Sequence, residues 1–392
     1  MPTEERMTVN ERRKYLKLMK ARYQKAKRSE QSELLTEMEQ VTGLHRKSLL
    51  RLLHAPTLER QKRSHGRGRT YGLAVEQVIL VVWESLDYVC ADRLTPVLLS
   101  TAEHLAHFGS IHLTSELLSQ LAQISEATVT RLLRKYRSRE PRLPQKGPER
   151  ANQVRKPVPM KRIPWQTTEP GHFEVDLVPH GGESSDGTYA HTLQMIDVAT
   201  GWSERVAVLG RGQQAMEAGF RRILERLPFE VKELHPDNGS EFFNHHLVRF
   251  WGEAITGLTL SRSRPYQKND NRFVEQKNAT LVRQYFGTIR LETPEQVQAM
   301  NLLYDKMWLY YNFFQPVMHL KEKVCQADKV VRHWDQAQTP YQRLLITGTL
   351  GSEQQARLQV VYEQTNPLAL RKEIYRLLAA LWEIPSAAIS VA

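Results

Sequence analysis

The stretch HPDNGSEFF, residues 235–243, decides how this chain is read. A strand-like run, VKELHPD (231–237), leads into it. Asp-Asn-Gly then suits a tight turn, and a helical period continues from Phe242 to Ala254. The end of a strand at a turn is where α/β sheets place reactive groups, so Asp237 is the first candidate. The second is Glu275, 38 positions downstream, in the first turn of a helix spanning about 272–290. The polar loop RPYQKNDN (264–271) leads into that helix. The third is Asp176, 61 positions upstream of Asp237, in the otherwise apolar strand HFEVDLV (172–178). A carboxylate among strand residues is costly unless it is paired or holds a metal.

Further strands are expected at TLQMIDV (192–198), SERVAVL (203–209) and LTLSRS (258–263), with helices at 213–227 and 294–313. Three strands, then helix, strand, helix, strand and helix, is an α/β order. Carboxylates from two strands and a helix suit two Mg²⁺ ions, with Mn²⁺ as a substitute. Such ions would clamp the attacking and leaving oxygens of an in-line phosphoryl displacement. Rival acids have ordinary roles open to them. Asp197 ends the second strand at a turn. Glu174 neighbours Asp176, and strand alternation is read as turning it to the opposite face. Glu241 and Asp270 suit helix caps. Asn238 and Gly239 shape the turn at Asp237, and His235 fits either a phosphate contact or a structural strand end.

HPDNGSEFF followed by SRPYQKNDNRFVEQKN (263–278) resembles the catalytic core of the retroviral-integrase superfamily, in its bacterial insertion-sequence (DDE) transposase branch. The resemblance covers about 166–335. It implies a ribonuclease-H-like fold with five strands. It also implies that Asp176, Asp237 and Glu275 are the catalytic metal ligands, that element ends are nicked and that the freed 3′-hydroxyl attacks target DNA. Retroviral integrases begin with a His/Cys zinc module that this chain lacks.

The upstream chain is helical and basic. Residues 1–57 form a first domain in which a helical period is broken at Gly43, as in a helix-turn-helix. A Gly/Arg linker, 58–72, carries Arg67 and Arg69, which fit a narrow minor groove or a solvated loop. In a second helical domain, 73–138, SELLSQLAQISEATVTRLLRKY (115–136) weakly repeats 32–53. It places Leu121 and Ala122 on a first helix, Ile124 and Ser125 in a turn, and Thr128, Arg131 and Arg134 on a recognition helix. In the first domain, Arg46 and Lys47 on the second, basic helix are the expected DNA contacts. A Pro-rich basic linker spans 139–165, the catalytic core 166–320, and a C-terminal module 321–392. Near the third acid, Arg264, Lys268, Arg272 and Lys277 are placed to hold DNA phosphates. The aromatic run WLYYNFFQP (308–316) reads as helix core, the segment from there to about 345 as irregular, and 352–380 as helical.

A formal net charge of +12 over 392 residues favours a polyanionic partner. Double-stranded DNA fits, both as inverted-repeat element ends and as target, with a homo-oligomer joining two ends in a synaptic complex. Two cysteines far apart exclude a zinc ribbon or disulfide framework. No apolar run is long enough to span a membrane, and the charged N-terminus has no signal-peptide core. The expected place is the bacterial cytoplasm, at the nucleoid. The expected function is a DNA transposase. The alternatives are a catalytically inactive DNA-binding regulator derived from one, and a ribonuclease-H-like nuclease.

Overall fold

The computed structural model describes residues 7–59, 70–136, 167–184, 186–236, 242, 245–261, 272–326 and 329–386. The chain forms two compact units, Met1–Thr70 and Tyr71–Ala392.

In the first unit, α1 (Val9–Lys25), α2 (Arg28–Thr42) and α3 (Arg46–His54) enclose Leu16, Leu34, Met38, Leu49 and Leu53. Thr8 and Glu11 form a capping box at the start of α1. Gly43, at φ 65°, ends α2 in the left-handed conformation, and its N–H donates to the Glu39 carbonyl. The sequence places its break at this glycine.

The second unit begins with α4 (Leu73–Ser85), α5 (Ala91–His107), α6 (Ser115–Gln123) and α7 (Glu126–Leu133). The turn between α6 and α7 is Ile124–Ser125, and Ser125 caps α7 by accepting the Thr128 N–H. This helical segment packs onto later parts of the chain. Tyr310 Oη donates to the Ser85 carbonyl at 2.6 Å, and Gln315 Nε2 to the Leu86 carbonyl at 2.9 Å. Arg371 Nε pairs with Asp87 at 2.9 Å.

Five strands form a mixed sheet in the order β3-β2-β1-β4-β5: β1 (His172–Pro179), β2 (Ala190–Asp197), β3 (Ser203–Leu209), β4 (Glu233–Pro236) and β5 (Thr259–Leu260). β1, β2 and β3 are antiparallel, whereas β4 lies parallel to β1 and β5 parallel to β4. This arrangement is consistent with the ribonuclease-H-like core that the resemblance implies. Strand alternation divides the sheet into two faces. Val175, Leu193, Met195 and Val206 pack with Met216, Phe220 and Ile223 of α8 (Gln213–Arg226), and α9 (His245–Ala254) follows β4. On the opposite face, Val178 and Ala207 pack with Met300, Leu303 and Tyr304. Those three residues lie on α12 (Pro294–Leu309), which follows α10 (Arg272–Lys277), a π-helical segment (Asn278–Arg283) and α11 (Gln284–Phe286).

The helix expected over 272–290 is thus interrupted by a π-helical turn and closes at Gly287, φ 62°. The aromatic run is core, as expected: Tyr310, Phe313 and Phe314 are buried. Asn312 bonds the Ser203 N–H and carbonyl with its side-chain amide. The segment expected to be irregular after it contains a hairpin, β6 (Leu320–Gln326) and β7 (Lys329–Trp334), and a helix, α13 (Pro340–Thr347). The charged side chains of LKEKV and KVVRHW mask its strand alternation. α14 (Ser352–Gln364) and α15 (Pro367–Trp382) fill the helical 352–380. No helix among the described residues is long and apolar enough to cross a membrane.

Candidate functional site

The face of the sheet beneath α10 is unusually polar. Asp176 sits in the middle of β1 with its carboxylate half-buried. Its Oδ1 accepts the Leu177 N–H at 2.8 Å, and its Oδ2 accepts Asn278 Nδ2 at 2.5 Å. Asn278 follows Glu275 by three positions, and residues three apart on a helix share a face. The Asn278 contact therefore draws the Glu275 side of the helix toward Asp176. Glu275 itself is exposed.

Glu174 is also on this face, contrary to the sequence reading. Positions 174 and 176 are two apart in a strand, so their side chains point the same way. The Glu174 carboxylate is fully buried, and its Oε2 accepts the N–H groups of Phe273 at 2.7 Å and Val274 at 3.0 Å. It therefore caps the N-terminus of α10 from the neighbouring strand. Burial pushes its pKa up to about 7, against the pull of the Val274 N–H, the Arg272 charge and the Phe273 N–H, while the Glu275 charge adds to the rise.

β4 runs beside β1 with Leu234 opposite Phe173 and Pro236 opposite Val175. Asp237 follows Pro236 directly and lies outside the described residues. So do Asn238, Gly239, Glu241, Arg264, Lys268 and Asp270, together with Arg67, Arg69 and the linker at 139–165. Among the described residues, no group of three or more His, Cys, Asp and Glu could hold a metal ion. The donors that are described, the carboxylates of Asp176 and Glu275, are hard oxygen ligands of the kind Mg²⁺ takes.

The rival groups have structural partners. Asp197 is buried, and its carboxylate accepts the N–H of Gly171 and both the N–H and hydroxyl of Thr200. It ties the β2–β3 turn to the entry of β1. Burial raises its pKa to about 6, and these hydrogen bonds oppose the rise. Gly171 has φ 112°, and a Cβ there would stand 2.7 Å from the Glu230 carbonyl oxygen, so only glycine fits. His235 is buried in a chain of polar contacts. Its Nδ1 meets Ser261 Oγ at 2.7 Å, Ser261 Oγ donates to Glu233 at 2.5 Å, and Glu233 meets His172 at 2.9 Å.

The expected DNA-contacting residues are placed unevenly. Arg131 and Arg134 are exposed at α7, and Lys47 is exposed at the start of α3. The Thr128 hydroxyl meets Ser125 Oγ at 3.0 Å. The Arg46 guanidinium is engaged inside its own unit, donating to Ser32 Oγ at 2.7 Å and Thr36 Oγ1 at 3.2 Å. Arg272 lies over the Phe273 ring at 4.3 Å, beside the site. Lys277 is half-buried. Loss of water and the charges of Arg93 and Arg205 bring its pKa down to about 7. Helical spacing explains this placement, because Lys277 lies three positions from the buried Val274 and two from the exposed Glu275.

Two residues of this face escape any sequence reading. Gln194 stands opposite Asp176, and Arg205 stands opposite Gln194, across three adjacent strands. Both are buried. Only the strand register reveals them.

No protein-family model matches the chain. It is 33% identical over 344 residues to the "Uncharacterized protein y4rM" of Sinorhizobium fredii, covering 86% of this chain and 96% of that protein. Among solved structures it is similar to the catalytic core domain of BIV integrase, at 17% identity and a TM-score of 0.29, covering 45% of this chain and 95% of that domain. So loose a superposition decides nothing. The fold rests on the strand order and register given above.

Proposed function

The chain belongs to the same protein family as y4rM of Sinorhizobium fredii, and on its own residues we propose that it is a DDE-type DNA transposase. The observation that carries this reading is the Asn278–Asp176 hydrogen bond, which brings the mid-strand carboxylate and the Glu275 side of the helix together. Beside them, β4 ends at the residue before Asp237, in the DNGSEF context.

In this reading Asp176, Asp237 and Glu275 hold two Mg²⁺ ions. When bound, the ions supply Lewis-acid stabilisation of an in-line phosphoryl displacement. The chain's own residues do the rest. Asn278 fixes one Asp176 oxygen. Glu174 holds the start of α10 and with it the height of Glu275 above the sheet. Arg272, with Arg264 and Lys268, draws DNA phosphates to the carboxylates. Arg131, Arg134, Lys47, Arg67 and Arg69 contribute phosphate contacts, which position the duplex without reading its sequence. The α2–α3 and α6–α7 pairs act as helix-turn-helix readers of element ends, and two copies act together so that two ends are processed in one complex.

The test supplies the full-length protein with the DNA that flanks its gene, a plasmid target and Mg²⁺. The expected result is joining of end DNA to plasmid by the wild type. Asp237→Asn should keep DNA binding and lose both nicking and joining. Binding with no nicking by the wild type would favour a regulator. Nicking without joining, with free 3′-hydroxyl ends supplied, would favour a nuclease. Joining by Asp237→Asn at the wild-type rate would overturn the site assignment.

A further inference from the structure

The first unit segregates its charge by helix. From Arg12 to Arg28 the chain carries nine Lys and Arg and no Asp or Glu. From Ser29 to Thr42 it carries four Glu and no Lys or Arg. The first run fills most of α1 and ends at the first residue of α2, and the second is the rest of α2. On α1, Leu16, Met19 and Tyr23 are buried, whereas Lys14, Lys17, Leu18, Ala21, Arg22 and Lys25 are exposed. Those six recur three and four positions apart, so they form one stripe on the side away from the core. Lys20 stands apart from the stripe, because its ammonium donates to the Ala55 carbonyl just beyond α3. On α2, Glu30, Glu33 and Glu37 are exposed.

Like charges three or four positions apart on a helix repel. Lys14 with Lys17 and Arg22 with Lys25 are such pairs, and no carboxylate stands between them. A helix face that served only solubility would mix the two signs. A polyanion relieves the repulsion, and duplex DNA fits the stripe. Lys14 and Lys25 lie about 16 Å apart along the helix axis. Over that length a duplex presents a phosphate about every 1.7 Å. An anionic membrane fits less well. Leu18, 72% exposed, is the one large apolar side chain of the stripe. A helix lying in a membrane interface needs a continuous apolar face.

We propose that α1 grips the DNA phosphate backbone through Lys14, Lys17, Arg22 and Lys25, and that it does so in place of α2. In a helix-turn-helix the first helix of the pair crosses the backbone. Here that helix is α2, and its exposed carboxylates repel phosphate. α1 packs beside it, with the Tyr15 hydroxyl donating to Glu37 at 3.4 Å, and presents only cations outward. The α1 contacts carry no sequence information and act as a tether that positions the unit on the duplex. α3, with Lys47 exposed at its start, approaches the bases. The inference rests on the reading of the chain as DNA-binding, and it adds which helix of the first unit meets the duplex.

The test compares the full-length wild type with a triple variant, Lys14→Gln, Lys17→Gln and Lys25→Gln, which keeps good helix formers at exposed positions. A second triple variant, Arg211→Gln, Arg357→Gln and Lys372→Gln, removes as many exposed cations from the second unit. Binding to a short mixed-sequence DNA duplex is measured across a salt series, with the thermal midpoint alongside. In the α1 variant the slope of log affinity against log salt should shrink by about 3, since each phosphate contact contributes about 0.9. At about 0.1 M salt that is a loss of about 100- to 1,000-fold in affinity. Its thermal midpoint should hold or rise, because repulsion along the helix is relieved. Arginine at the same three positions should keep the wild-type slope. The second-unit variant should change the slope by less than about 1. A wild-type slope in the α1 variant overturns the proposal. An equal loss in both triple variants also overturns it, because net charge alone would then account for the effect. Vesicles of phosphatidylserine and phosphatidylcholine provide the third probe. If the α1 variant loses vesicle binding and keeps DNA binding, the stripe belongs to a membrane and the proposal fails. A wild type that binds no duplex at any salt gives a different result, because it overturns the DNA-binding reading on which the proposal rests.

Discussion

The Glu174 carboxylate accepts the backbone N–H of Val274 across the gap between β1 and α10, at 3.0 Å, and that of Phe273 at 2.7 Å. A strand residue thereby supplies the cap that the helix carrying Glu275 would otherwise need from its own flank. Glu174→Leu leaves two amides at the start of α10 without this acceptor. The expected cost is about 0.5–2 kcal/mol of stability, the range of a lost N-cap. Glu174→Gln keeps an oxygen acceptor and avoids burying a charge, so its stability should match or exceed the wild type at pH 8. Urea denaturation of both variants decides. Equal losses in Leu and Gln would show that the capping contact is not what the side chain contributes.

Asn278 reaches Asp176 from the π-helical segment, a helical irregularity that recurs at functional sites. Asn278→Leu removes the donor while preserving the side-chain volume. Strand joining, or Mn²⁺ affinity, should fall about 10- to 100-fold, as for other groups that orient a metal ligand. DNA affinity should stay within about twofold, because the residue lies under the site and not along the duplex. A variant with wild-type joining would remove Asn278 from the machinery.

Much of this site is legible in the sequence because its cues are local. A strand running into Asp-Asn-Gly, a carboxylate in an apolar strand and an acid in the first turn of a helix each lie within a few residues. The first three strands fall within two residues of where alternation puts them. What could not be read is what the register creates. Gln194 and Arg205 are ordinary polar residues of two strands until β1, β2 and β3 align them with Asp176. The face of Glu174 was legible, since two positions along a strand restore the same side. The β6–β7 hairpin was hidden because its Lys, Glu and Arg side chains break the apolar alternation that marks a strand.

His180 gives a pH dependence that can be worked out by sign. It is buried, its Nε2 lies 2.7 Å from Thr192 Oγ1, and the Phe286 ring stands edge-on at 5.4 Å. Burial, together with the charges of Arg283 and His191, holds its pKa down to about 3. The unfolded chain titrates near 6.5. Between those two values the unfolded state binds the extra proton, so stability is full above about pH 6.5 and is lost as the pH falls toward 3. At about 1.4 kcal/mol per pH unit, moving from pH 7 to pH 5 should cost about 2 kcal/mol from this residue. His180→Gln can keep a hydrogen bond to Thr192 and has no such proton. Its urea midpoints at pH 7 and pH 5 should therefore differ by less than the wild type's. Identical pH dependence in the two proteins would mean that His180 is not held neutral.

Arg131 and Arg46 stand at corresponding helix pairs in the two units but are used differently. Arg131 is exposed on α7 with its head group in solvent, whereas the Arg46 guanidinium is bound to Ser32 and Thr36 of α2. Removing a solvent-facing arginine that meets a phosphate weakens binding to all sequences alike. It also lowers the slope of log affinity against log salt by about 1. Arg131→Ala should show this, with an unchanged thermal midpoint. Arg46→Ala should instead lower the stability of the first unit by about 1 kcal/mol, the typical net contribution of an intramolecular hydrogen bond. The salt slope should not change, because this guanidinium is already committed within its own hairpin. Salt-dependent DNA-binding isotherms and thermal melts of the two variants separate the roles. A reduced salt slope for Arg46→Ala, or an unchanged one for Arg131→Ala, would reverse the assignment.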